Sequence, residues 1–96
     1  MAEIRDLSVR NSPERSRYEA VLDGEVVGVA DYHVVDGRMV LPHTEVSPDH
    51  EGKGIGGRLA RAALDGARDR GLLVVPSCWF IREYIDRTGG YADLVA

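Results

Sequence analysis

Residues 46–57 read Val-Ser-Pro-Asp-His-Glu-Gly-Lys-Gly-Ile-Gly-Gly, with four glycines in the last six positions. An apolar, β-branched run leads into this stretch, and a helix-like run, Arg58 to Arg70, leads out of it. Glycine lets the backbone approach a ligand closely and adopt positive φ. A helix N-terminus just beyond offers unpaired N–H groups and the positive end of a dipole. Together these make an anion site, most often for phosphate. Side chains able to move a proton or carry an acyl group stand on either side: His43 and Glu45 before the stretch, Cys78 after it.

The elements that must position these residues are legible in the patterning. Asp23-Gly24 separates Tyr18–Leu22 from Glu25–Tyr32, and Asp36-Gly37 separates Asp31–Val35 from Arg38–Val46. Asp-Gly between β-rich runs signals a hairpin, because the tight turn needs positive φ. A meander of three antiparallel strands is expected, with Leu7–Asn11 as a short strand before it and Asn11–Glu14 as a loop. The period then becomes helical. Ile55, Leu59, Ala60, Ala63, Leu64 and Ala67 fall on one stripe, and Gly71 suits the C-terminal end. Leu72–Val75 is wholly apolar, as a buried strand would be, and Pro76 stops it. Ser77 suits the cap of a second helix over roughly Cys78–Arg87, with Phe80, Ile81, Tyr84 and Ile85 towards the core and Gly89-Gly90 ending it. The order is β-β-β-β, α, β, α, and the strands flanking the long helix should pair in parallel through a right-handed crossover.

Composition narrows the class. The 96 residues suit one domain, 1–96, and 44% hydrophobic with 29% charged residues describes an ordinary globular chain. No apolar run reaches the roughly 18–20 residues of a membrane span, and the Met1–Asp6 start lacks an apolar signal region. A net charge of −4 argues against general nucleic-acid binding and fits a basic or amine-bearing partner. Cys78 is the only cysteine, so no internal disulfide can form, in keeping with a reducing cytoplasm.

Three phosphate ligands compete for the glycine stretch. Gly52, Gly54 and Gly57 match the dinucleotide fingerprint G-x-G-x-x-G, but the next strand ends in Val75-Pro76-Ser77 without the acidic residue that fingerprint wants. A P-loop would place Ser or Thr where Gly54 stands. The remaining reading is a resemblance. Val46 to Leu59 resembles the acetyl-CoA-binding motif of the GNAT acetyltransferase superfamily, which runs Val-x-Pro, a short loop, then (Gln/Arg)-x-x-Gly-x-(Gly/Ala) opening a helix. Gly54 and Gly56 match its small positions, while Glu51 stands where Gln or Arg is usual. Pro42-His43-Thr44-Glu45-Val46 and Val75-Pro76-Ser77-Cys78 resemble the small single-domain GNAT-like family, and the likeness extends over roughly Tyr18 to Leu94.

The resemblance implies an α/β (α+β) chain with a minimal GNAT-like fold: an antiparallel β-meander followed by β-α-β-α, with a splayed mixed sheet. It implies acetyl-CoA as cosubstrate and acetyl transfer to a small amine or a protein amine, or else a CoA-binding module with little catalysis. The pyrophosphate would rest on the loop between Gly52 and Arg58, through Gly52, Lys53, Gly54, Ile55, Gly56, Gly57 and Arg58, with charge from Lys53 or Arg58. The thioester would lie beside Val46, whose N–H would polarise its carbonyl. Cys78, at the start of the second helix where a dipole favours thiolate, would receive or steer the acetyl group; otherwise it is a small buried residue. His43 and Glu45, two apart and so on one face of a strand, are bases for the amine proton, or else a hydrogen-bonded histidine and a solvated glutamate. The glutamate found earlier on this strand in some GNAT enzymes is Val40 here. His50 flanks the loop, where it could touch phosphate; otherwise it is expected to be exposed. Tyr84 is a further acid for the leaving thiolate, although its spacing says core first.

Overall fold

The computed structural model describes residues 6–96, so most of the Met1–Asp6 start, on which the signal-peptide expectation rested, lies outside the described residues. Both Asp-Gly turns form as expected. Asp23 and Gly24 have φ of 53° and 78°, and Asp36 and Gly37 have 50° and 75°. Positive φ at both central residues matches the right-handed strand twist in a two-residue hairpin. The turns join β2 (Arg17–Leu22) to β3 (Glu25–Val35) and β3 to β4 (Arg38–Val46). β1 (Ser8–Ser12) pairs with β2, and a 3₁₀ turn at Pro13–Arg15 replaces the expected loop. After α1 (Ile55–Asp69) comes β5 (Leu73–Val75), parallel to β4, then α2 (Trp79–Thr88). The sheet order is β1-β2-β3-β4-β5, mostly antiparallel, with the expected parallel pair β4 and β5 at its end.

Both helices lie on one face. The predicted stripe of α1, Ile55 to Ala67, is fully buried against that face. Each buried Leu or Ile contributes roughly 1.5–3 kcal/mol. α1 passes close over β3, where a Cβ on Gly28 would stand 3.1 Å from Leu59 Cδ1 and 3.2 Å from Ile55 Cγ2. This contact sets the height of the α1 N-terminus above the sheet.

Several expectations need correction. α1 begins at Ile55, three residues before Arg58, so Gly56 and Gly57 lie inside its first turn. Glycine is a poor helix former, but here the aromatic rings of α2 pack against both glycines and hold them there. Ser77 does not cap α2; Cys78 is the N-cap residue, without a side-chain cap bond, and its N–H donates to the Leu41 carbonyl of β4 at 2.9 Å. β5 is not buried throughout, because it lies at the sheet edge, with Val74 buried and Leu73 exposed. Its outer side is covered by the chain end: Val95 bridges to Val74, and the Ala96 N–H donates to the Val74 carbonyl at 2.9 Å. Arg68 holds this tail through both oxygens of Asp93 and the Gly90 carbonyl. Tyr91 donates to Asp65, and burial together with that bond pushes its hydroxyl up to about 12.

On the opposite face Glu19 is buried, with Arg10 on Oε1 at 2.9 Å and Arg17 and Arg15 on Oε2 at 2.8 and 3.2 Å. Burial pushes its carboxyl up, but the three arginines outweigh burial and hold it at about 2, below the ordinary 4.5. A carboxyl depressed on folding stabilises the fold fully above its unfolded value, and that contribution is lost as pH falls towards the folded value. Stability should therefore fall between about pH 4.5 and 2. Glu19→Gln should be less stable at neutral pH and lose less across that window, as measured by urea midpoints against pH. An identical pH profile in the variant would contradict this role for Glu19.

Candidate active site

β4 and β5 pair only from Arg38↔Leu73 to Val40↔Val75. Beyond Val40, β5 turns away through Pro76, and β4 runs on to Val46 with β3 on one side only. A register shift opposite Asp31–His33 falls at the same point. Such a bulge re-aims side chains and bends the strand. The splay expected from the resemblance is therefore present.

Hydrogen-bond phase shows what the open edge offers. The Ser47 N–H donates to the Val27 carbonyl at 2.8 Å. In an antiparallel pair, bonded and non-bonded positions alternate. Val46, opposite Gly28, is thus a non-bonded position, and its N–H and C=O point into the splay.

The chain then turns through a 3₁₀ turn at Pro48–His50 into the glycine loop. Gly52 and Gly54 both have φ of 79°, and Gly54 is the N-cap residue of α1. The first helical bond runs from the Arg58 N–H to the Gly54 carbonyl at 3.1 Å. The N–H groups of the residues before Arg58 have no intrahelical acceptor, which is the general condition at a helix start. They border a cleft of about 330 Å³ lined by Val46, the loop and the N-terminus of α1 on one side and by Phe80 and Arg87 of α2 on the other. The residues fit a phosphate-bearing ligand. A Cβ at Gly56 would lie 2.8 Å from the Phe80 ring, so only glycine leaves this wall open. Nδ1 of His50 is buried at the cleft wall without a hydrogen-bond partner.

The residues singled out in sequence are distributed unevenly around this cleft. Gly52, Gly54, Gly56, Gly57 and Val46 border it; Ile55 also does, though its side chain is in the core. Lys53 is exposed between the two positive-φ glycines. The Arg58 side chain turns away, donating to the Leu7 carbonyl at 3.0 Å and bordering a separate hollow with Val9 and Arg61. His50 is half-buried rather than exposed. Cys78 is half-buried with Sγ 3.8 Å from Thr44 Oγ1, on the same face of β4 as Val46. His43 and Glu45 flank Thr44 along the strand and so point to the opposite face. They are bonded to each other, Nε2 to Oε1 at 3.1 Å, with side chains 56% and 72% exposed. Tyr84 is half-buried, packed between Gly57 and Tyr91, in keeping with its core spacing. Arg87 went unread in the sequence. The spacing Phe80, Tyr84, Arg87 is one helical stripe, and that was the available signal.

Residues 17–94 match the family described as GCN5-related N-acetyl-transferase. The chain belongs to this family. The likeness holds in sequence and in backbone. Over 81 residues the chain is 35% identical to Protein NATD1 of Mus musculus, spanning 82% of this chain and 74% of that protein. A GCN5-like protein from Staphylococcus aureus has a similar fold, with a TM-score of 0.72 at 22% identity over 97% of this chain and 91% of that one. A GNAT family acetyltransferase from Brucella melitensis, solved in complex with acetyl-CoA, gives a TM-score of 0.58 at 26% identity over 71% of this chain and 50% of that one. The splayed sheet and glycine loop are thus those of a GCN5-related fold.

Proposed function

We propose that this chain binds acetyl-CoA in the splay and transfers the acetyl group to an amine. The observation that carries the reading is one continuous path: the outward N–H of Val46 leads to the unpaired N–H groups at the start of α1. The first suits a thioester carbonyl, and the second suits a pyrophosphate. Acetyl-CoA, when bound, supplies an acyl group activated as a thioester. The chain's residues would hold and orient it. The backbone of Gly52, Lys53, Gly54, Ile55, Gly56 and Gly57 forms the phosphate cradle. Arg58 contributes through the helix, since its N–H and guanidinium are both engaged.

An amine approaching from the helix-free face meets the His43–Glu45 pair, which is placed to accept the proton the amine must lose. Under this reading Glu45→Gln should lower the transfer rate by about a hundredfold. Cys78 lies on the cofactor side of β4 and favours a second route. There its sulfur displaces CoA thiolate, holds the acetyl group as a thioester, and yields it to the amine. Stopped assays of thiol release with acetyl-CoA and a polyamine separate the two. Direct attack predicts that Cys78→Ala still releases thiol within a few-fold of the parent protein. A loss of roughly a hundredfold or more in Cys78→Ala, with CoA affinity intact, would establish the relay instead. Tight CoA binding without thiol release in the parent protein would leave a binding module.

A further inference from the structure

The cleft has an electrostatic imbalance that the loop itself does not resolve. Glu51 lines it, and an anionic side chain beside a phosphate site opposes binding. The Arg58 guanidinium, the nearest cation on α1, is directed at Leu7. Among the described residues lining the cleft, Arg87 carries the one fixed positive charge. It reaches the site from the last turn of α2, seven positions after Phe80, which packs on Gly56. Among the described residues it pairs with Glu83, one turn back, at 3.8 Å in an exposed pair. Exposed i,i+4 pairs of this kind are worth about 0.3–0.5 kcal/mol, so Arg87 is held loosely. A phosphate is a better partner than this distant carboxylate, because guanidinium binds phosphate oxygens with two parallel, charge-assisted bonds.

We propose that Arg87 is the side chain that binds a phosphate of the ligand, closing over the glycine loop from α2 and offsetting Glu51. The proposal rests on the acetyl-CoA reading above, but it makes a separate claim: the positive charge of the site comes from the second helix, and the Arg87–Glu83 pair exchanges for an Arg87–phosphate pair on binding. Arg87→Lys keeps the charge and loses the fork.

Calorimetric titrations with CoA, 3′-dephospho-CoA and pantetheine test it. Arg87→Ala should weaken CoA by about ten- to a hundredfold, the span of a lost charge-assisted bond, and leave pantetheine unchanged. Arg87→Lys should recover part of the loss, and Glu83→Gln should bind CoA at least as tightly as the parent protein. If Arg87→Ala weakens CoA but not 3′-dephospho-CoA, the partner is the 3′-phosphate; if it weakens both, the partner is the pyrophosphate. Parent-like CoA affinity in Arg87→Ala overturns the proposal and leaves the acetyl-CoA reading standing. Equal weakening of CoA and pantetheine also overturns it, showing a merely structural role. Failure of the parent protein to bind CoA overturns both. Arg87 is exposed, and an unchanged melting curve confirms that the variants are folded.

Discussion

Gly54→Val should weaken CoA binding while leaving the fold intact. A Cβ at Gly54 would meet nothing within 4 Å, so the substitution adds no clash. Its cost is in the backbone. Gly54 has φ of 79° at the N-cap of α1. The left-handed region costs an L-residue roughly 1–2 kcal/mol, and a β-branched side chain is especially poorly tolerated there. The loop should relax to negative φ and turn the N–H groups of Gly54 and its neighbours away from the cleft. The dissociation constant for CoA should rise at least about tenfold, which corresponds to about 1.4 kcal/mol. Unchanged affinity would mean that the loop conformation does not make the site.

The second large effect concerns stability. Gly66 lies inside α1, where alanine would ordinarily gain about 0.5–1 kcal/mol over glycine. Here the sign should reverse, because an added Cβ would fall on the Tyr18 hydroxyl. Tyr18 cannot easily move: it is 6% exposed, and its ring lies 5.4 Å from that of Tyr32. Overpacking of this kind costs about 1–3 kcal/mol. In a domain of this size each kcal/mol shifts the melting temperature by about 4–8 °C. Gly66→Ala should therefore cost up to about 2.5 kcal/mol net of the propensity gain and melt up to roughly 20 °C lower. Tyr18→Phe removes the colliding oxygen, so the double variant should recover most of the loss, a coupling expected only between residues in contact. If Gly66→Ala melts higher than the parent protein, the close approach of α1 to β2 is wrong.

These two glycines mark how far the sequence could be read. Local signals transferred well. Asp23-Gly24 and Asp36-Gly37 turn as their chemistry requires, and the α1 stripe is buried residue for residue. The glycine loop lies at a strand-to-helix junction, where its composition placed it. What failed was information held by contacts between distant segments. The early start of α1 depends on Phe80 and Tyr84 packing against Gly56 and Gly57. The N-cap at Cys78 depends on the Leu41 carbonyl of β4 taking its N–H, which fixes where α2 begins. The direction of the Arg58 side chain depends on a carbonyl 51 residues away.

The same limit applies within the site. Spacing correctly placed His43 and Glu45 on one face of a strand, and the structure adds their mutual bond. Spacing could not show that Cys78 would join Thr44 on the other face, because that depends on how α2 docks. His43 and Glu45 therefore stand on one side of β4 and Cys78 on the other, at the strand whose edge is open beyond Val40.

The most direct test of the central claim is an amide chemical-shift titration of the ¹⁵N-labelled protein with CoA. The largest changes should fall on Val46, Gly52, Gly54, Gly56 and Gly57, with β1 and β2 nearly unmoved. Saturable changes confined to other elements, or none at these five amides, would contradict it.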